Sequence, residues 1–370
     1  MKPIPAFALL SAAAFVVSCG PGNRPSAADP ADAVTDAAAD QPCGVRSIDP
    51  LPAGVLTLND DDFGPTIPLE GRNIATDDLF SVSDVEMTVK DSLLLLKSQQ
   101  NDGAPLRIYS LPDFRLLKQV GRFGRGPGEM VYPRLVPYRD RDAVCFLVDG
   151  FSNRQVRVTP ELEAEPFELP LTEEQRRNYG FSLVARNAGD ILFTSLPDLM
   201  RCTAGDTAAR TDRILDLAYL KGRHSPTRYI GSLGADFDKG RAVFAYKYDR
   251  RIVFADLNEG SARTVVFRGK NDVAEGAGMD DNTTHYWKLS AGSRYVYLLY
   301  SGRTPLEVAQ EQSRGERYIF VEAFDWNGNP VARYRLDRWG YFCADEARNR
   351  IILVSTGDQH PFFVYDLPSK

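Results

Sequence analysis

The sequence predicts an all-β chain built as a six-bladed β-propeller, preceded by a signal peptide and a disordered tether. Three observations carry that expectation: strand-like runs bounded by turn residues, a hairpin phrase that recurs along the chain, and an N-terminus patterned for export. Of the 370 residues, 16 are Tyr, 20 Phe, 29 Gly and 24 Pro. Aromatic residues favour strands, whereas Gly and Pro favour turns. A hydrophobic content of 43% permits a sizeable core. A net charge of −6 argues against nucleic acid as a partner.

The N-terminal region is set aside before any fold reasoning. Residues 1–18 are expected to be a lipoprotein signal peptide. Lys2 supplies a short positive region, and Ala6 to Val17 (AFALLSAAAFVV) an apolar run suited to a signal core but short for a membrane span. Val16-Val17-Ser18-Cys19-Gly20 resembles the bacterial lipobox, which implies lipidation of Cys19 and a mature chain starting there. The chemistry requires Cys because its thiol is the nucleophile that takes the lipid. Residues 19–42 are expected to be a flexible linker: Gly20 to Gln41 is rich in Ala, Asp, Pro and Ser and has little apolar surface to bury. The expected location is the cell envelope, lipid-anchored at the outer membrane, with periplasmic and surface-facing orientations both open.

Residues 43–370 are expected to form the propeller. The runs that point to strands are 92–97 (SLLLLK), 106–110, 143–148, 155–158, 190–194, 251–255, 264–268, 295–300, 318–324, 331–336, 351–355 and 362–366. Some alternate apolar with polar residues, which suits a sheet buried on one face. Others are continuously apolar, which suits inner strands covered on both sides. Helix signal is confined to two short polar segments, 172–178 and 304–314.

The repeated phrase is a strand, a turn with Asp, Asn or Gly, a second strand and a polar link. It occurs at 143–158, 250–267, 318–337 and 345–365. Asn327-Gly328 marks the clearest hairpin, because a tight turn there needs positive backbone angles. Four-stranded units repeated at about fifty residues imply a propeller, and roughly 325 residues at that period give six blades. Two successive β-sandwiches are the structural alternative.

One motif is sharper than the rest. Val120-Gly-Arg-Phe-Gly-Arg-Gly-Pro-Gly-Glu-Met130, followed by Pro133, is similar to the glycine-rich stretch of NHL-type six-bladed propeller repeats. Together with the lipobox and the Phe324-Asp-Trp-Asn-Gly-Asn-Pro330 phrase, it resembles the TolB-like six-bladed propeller lipoproteins of Bacteroidota. The resemblance covers roughly residues 45–370 and implies a fold and a location more than an activity. Gly121, Gly124, Gly126 and Gly128 allow backbone conformations closed to other residues, and Pro127 and Pro133 fix φ. The stretch, Glu129 included, therefore predicts a structural turn linking an outer strand to the next blade. A phosphate cradle is disfavoured: no Gly-Lys-Ser/Thr follows, and Pro133 with a strand stands where a Rossmann loop would open a helix. Arg122 and Arg125 are expected to be solvated or paired.

Five cysteines are present. Cys145 and Cys343 lie in apolar runs and are expected as buried packing residues. Cys43 and Cys202 lie in loop-like sequence and are the candidate disulfide pair, since export permits oxidation. No CxxC pair, HxH or HExxH motif occurs, and His224, His285 and His360 are isolated, so no metal site is predicted. No GxSxG elbow occurs either. Asn59-Asp-Asp-Asp62 lacks the Gly and Glu of a calcium loop and is expected to be a solvated acidic turn, as is Asp280-Asp281-Asn282. Trp287, Trp326 and Trp339 are candidates for a sugar-stacking platform or, more often, packing residues.

Two function classes stay open. The first is a non-enzymatic binding or scaffold propeller, meeting an envelope protein or a glycan and needing no cofactor. The second is a propeller hydrolase or lyase with a metal-assisted site in the central channel. The second requires three or more acids or histidines converging on the axis. The catalytic residues are unassigned, and sparse histidine favours the first class.

Overall fold

The computed structural model describes residues 50–370 except 77, 79, 100–102, 153, 171–181, 206–208, 222–223, 225, 270–281 and 369–370. The signal segment, Cys19, the linker, Cys43, the 172–178 segment and Asp280-Asp281 all lie outside the described residues.

The strands assemble into six sheets, the blades of a β-propeller. Blade 1 comprises Glu86–Lys90, Leu93–Lys97, Leu106–Ser110 and Leu116–Val120, antiparallel throughout. Blade 2 runs from Pro133–Pro137 to Ala164–Pro166, blade 3 from Leu183–Asn187 to Arg210–Asp216, and blade 4 from Gly231–Asp236 to Ala262–Phe267. Blade 5 runs from Thr284–Ala291 to Pro330–Leu336, and blade 6 takes Gly340–Asp345, Arg350–Ser355 and Phe362–Asp366. The first strand of each blade touches the first strand of the next, and blade 6 touches blade 1, so the ring closes around an axis.

The segment before blade 1 secures that closure. Gly54–Leu58 adds to the outer edge of blade 4 in parallel, and Ile67–Leu69 does the same on blade 5. Arg72–Ile74 then pairs antiparallel with Phe362–Asp366 and supplies the fourth strand of blade 6. One strap thus ties three consecutive blades.

The core is divided into six apolar clusters, each between neighbouring blades. Leu94 and Leu96 pack towards blade 6, whereas Leu95 packs towards blade 2. A run such as SLLLLK is apolar on both faces because each blade is sandwiched by two others. The continuously apolar runs are therefore second and third strands, not the ones on the axis. The 304–314 segment is a helix, Pro305–Ser313, on the link between the second and third strands of blade 5. Its N-terminus is closed by a reciprocal capping box between Thr304 and Glu307, with Pro at the first turn.

Cys145 and Cys343 are fully buried, as their apolar surroundings predict. Cys202 lies in the strand Asp198–Thr203 rather than a loop, wholly buried, with its thiol 3.2 Å from the Pro170 carbonyl. Apolar neighbours from blades 2 and 3 enclose it.

Candidate functional site

The glycine motif sits between the outer strand of blade 1 and the inner strand of blade 2, the link its composition predicts. The Gly126 amide donates to Glu129 Oε2 at 2.7 Å. Gly124 has φ +150°, and a Cβ there would fall inside the Glu129 carboxylate. Glutamate and glycine are thus a matched pair: the carboxylate fills the space that a side chain would need. Arg122 and Arg125 are exposed. The chain leaving the motif is pinned on both sides of Val131, whose carbonyl accepts from Gln99 Nε2 at 3.1 Å and whose amide donates to Asp149 Oδ2 at 2.5 Å. This fixes the next residues, Tyr132 and Arg134, at the mouth of the central channel.

A cavity of about 180 Å³ opens there, and all six blades line it: Glu86, Arg134, Ser182, Ser232, Lys288 and Phe342 are one contribution from each. Its walls are largely apolar, including Met87, Leu135, Leu183 and Leu289. Phe151, 64% exposed, stands at the rim in edge contact with Tyr132, with ring centroids 6.0 Å apart.

A charged cluster occupies one side. Lys97 is fully buried opposite Glu86 in the blade 1 register. Its ammonium lies 2.8 Å from Asp84 Oδ2 and over the Tyr132 ring at 4.9 Å. The Tyr132 hydroxyl donates to Asp84 Oδ2 at 2.5 Å. Arg134 Nε donates to Glu86 Oε1 at 2.5 Å, and the Leu135 amide to Glu86 Oε2 at 2.7 Å. Lys288 Nζ stands 3.9 Å from Glu86 Oε1, beyond hydrogen-bond reach.

Burial alone would raise both carboxyls, but the cations outweigh it. Asp84 is held well below the carboxylate range by Lys97 and Lys288, and Glu86 is lowered by Arg134, Lys97 and Lys288. Burial lowers Lys288, with Glu86 and Asp84 opposing that fall. Burial, then the Asp84 charge, pushes the Tyr341 hydroxyl up to about 12. Both carboxylates are therefore ionised at neutral pH, and the cluster suits electrostatic recognition. Among the described residues, no three of His, Cys, Asp and Glu are placed to hold a metal ion.

At the opposite mouth several of the charges are paired within the protein. Arg139 pairs with Asp238 and Lys239 with Asp236, and Lys90 donates to the carbonyls of Tyr138, Asp140 and Ala143.

A second ionic cluster lies between blades 4 and 5 and is structural. Glu322, fully buried, accepts from Arg250 Nη2 at 2.7 Å and from the Tyr286 hydroxyl at 3.0 Å, with Arg333 Nε 3.6 Å away. Asp60 of the strap binds Arg250 at 2.6 Å and Arg333 at 3.3 Å from outside. The Asn59–Asp62 run is therefore a latch and not merely a solvated turn.

His285 is buried beside this cluster and stacked on Tyr300, and burial with the Arg250 charge lowers its pKa to about 4. Its folded pKa lies below the ordinary 6.5, so the unfolded chain takes the proton first as pH falls. Stability is thus full above pH 6.5 and is lost between pH 6.5 and 4, by about 3 kcal/mol at about 1.4 kcal/mol per unit. Urea melts across that window should show the loss in the native chain and a flatter profile in His285→Phe.

Trp326 is buried, and its indole donates to the Gly292 carbonyl at 3.0 Å. Trp287 and Trp339 meet edge to face at 5.6 Å, partly buried against the core between blades 5 and 6. The three tryptophans form no shared platform. The residues that do converge, Asp84, Glu86, Lys97, Tyr132, Arg134 and Lys288, were not singled out by sequence reasoning. Only Tyr132 and Arg134 carried a signal, since they flank the Pro133 that ends the glycine motif.

Residues 244–347 match a family model described as TolB-like 6-blade propeller-like. A Bacteroides fragilis protein described as exported shares 11% identity at a TM-score of 0.50, over 85% of this chain and 100% of its own. A DUF4221 family member from Bacteroides vulgatus shares 9% identity at a TM-score of 0.50, over 80% of this chain and 95% of its own. At such identities the likeness is one of fold. No curated protein matches the chain.

Proposed function

We propose that this six-bladed propeller, similar over residues 244–347 to the TolB-like kind, acts as a non-enzymatic binding protein of the cell envelope, taking its protein or glycan ligand at the channel mouth beside Lys288. The observation that carries this reading is the cavity on the axis, lined from all six blades and edged by the charged cluster and the exposed Phe151. Concave sites with apolar walls and a few polar groups are where ligands are usually held. The envelope location is supported by the lipobox at Cys19 and by the Bacteroides fragilis protein of like fold that is described as exported.

Ser232→Trp, which plugs the cavity from blade 4 without altering the charged cluster, tests the site. The native chain should capture a defined ligand from a glycan array or an envelope-protein panel. The variant should lose that capture while keeping its melting temperature. Capture unchanged by the plug would overturn the site, and turnover in a hydrolase and lyase screen that vanishes with chelator would overturn the non-enzymatic reading. Intact-mass analysis of the mature N-terminus tests the lipid on Cys19 separately.

A further inference from the structure

The charges at the channel mouth do not balance among the described residues. Among the described residues the cluster holds three cations, Lys97, Arg134 and Lys288, against two carboxylates, Asp84 and Glu86. Asp84 is taken by Lys97 and Tyr132, and Glu86 by Arg134 and the Leu135 amide. Lys288 is the cation left over. Its only ion pair among the described residues is the 3.9 Å approach to Glu86, and its side chain is 25% exposed to the cavity. An ammonium drawn out of bulk water with three donors and no acceptor carries a desolvation cost that an arriving acceptor would relieve.

The remaining walls say what such an acceptor is attached to. Phe342 and Leu289 lie inside the cavity, and Phe151 offers an exposed ring at its rim. The cavity, at about 180 Å³, is smaller than the span usual for drug-sized ligands. We propose that the part of the ligand seated in the channel mouth is a small amphipathic anionic group, with a carboxylate-class head held by Lys288 and a planar apolar body seated between Phe342 and Phe151. The head makes a charge-assisted hydrogen bond in a partly dry site, where such bonds are strongest. A neutral group would leave Lys288 uncompensated, and a cationic one would be repelled by it. This inference rests on the channel mouth being the binding site.

The test uses two probes of equal size, phenylacetate and phenylacetamide, titrated calorimetrically into the full chain at low salt. Phenylacetate should bind about tenfold more tightly, the worth of one charged hydrogen bond. Lys288→Met should erase that preference, and Lys288→Arg should retain most of it. Equal affinity for the two probes, or a preference that survives Lys288→Met, overturns the anion assignment but leaves the mouth as a binding site. Binding of neither probe also overturns the assignment, and the Ser232→Trp comparison then decides whether the mouth reading falls with it.

Discussion

Deleting residues 50–75 should abolish the cooperative fold. That segment contributes Leu51, Leu58 and Phe63, all buried in the cluster between blades 4 and 5. At roughly 1.5–3 kcal/mol per large apolar side chain, their loss alone removes roughly 5–9 kcal/mol. A whole domain is stable by only about 5–15 kcal/mol. The deletion also strips Gly54–Leu58, Ile67–Leu69 and Arg72–Ile74 from three blades. Blade 6 keeps three strands, and three bare edges face solvent, a template for aggregation. Gel filtration and far-ultraviolet circular dichroism should show aggregate or a chain without a sharp melt. A compact monomer melting like the native chain would show that closure does not depend on the strap.

Glu322→Ala should cost about 3–5 kcal/mol, because it leaves the buried Arg250 and the largely covered Arg333 without their inner carboxylate. The Tyr286 hydroxyl loses its acceptor in the same step. Asp60→Ala removes the outer carboxylate of the same cluster, but its side chain is 53% exposed and water can replace it. It should cost about 1 kcal/mol or less. Urea melts of the two variants give the comparison: equal losses would mean that the strap, and not the buried glutamate, holds the arginines. The arginines also lie over aromatic rings, Arg250 3.8 Å from the Phe267 centroid and Arg333 4.3 Å from that of Phe320. Those contacts persist in both variants and keep the comparison confined to the carboxylates.

Composition and pattern determined the fold class. Middle strands such as Leu93–Lys97, Arg251–Asp256 and Arg350–Ser355 must be apolar on both faces, because blades cover them from either side, and that demand is written in consecutive residues. The Asn327-Gly328 turn and the Gly124–Glu129 match are equally local, since each is settled by its own few neighbours. The candidate site is of another kind. Inner strands such as Glu86–Lys90, Pro133–Pro137 and Gly231–Asp236 face a channel, so they carry charge, Pro and Gly and no apolar run marks them. Glu86 and Lys288 are about two hundred positions apart in sequence and meet only because the ring closes. Asp60 shows the same limit, since its run looks like a solvated turn until blades 4 and 5 bring Arg250 and Arg333 beneath it. Local pattern records what a residue's immediate neighbours require. Which charges share a channel mouth is a property of closure, and only the tertiary structure decided it.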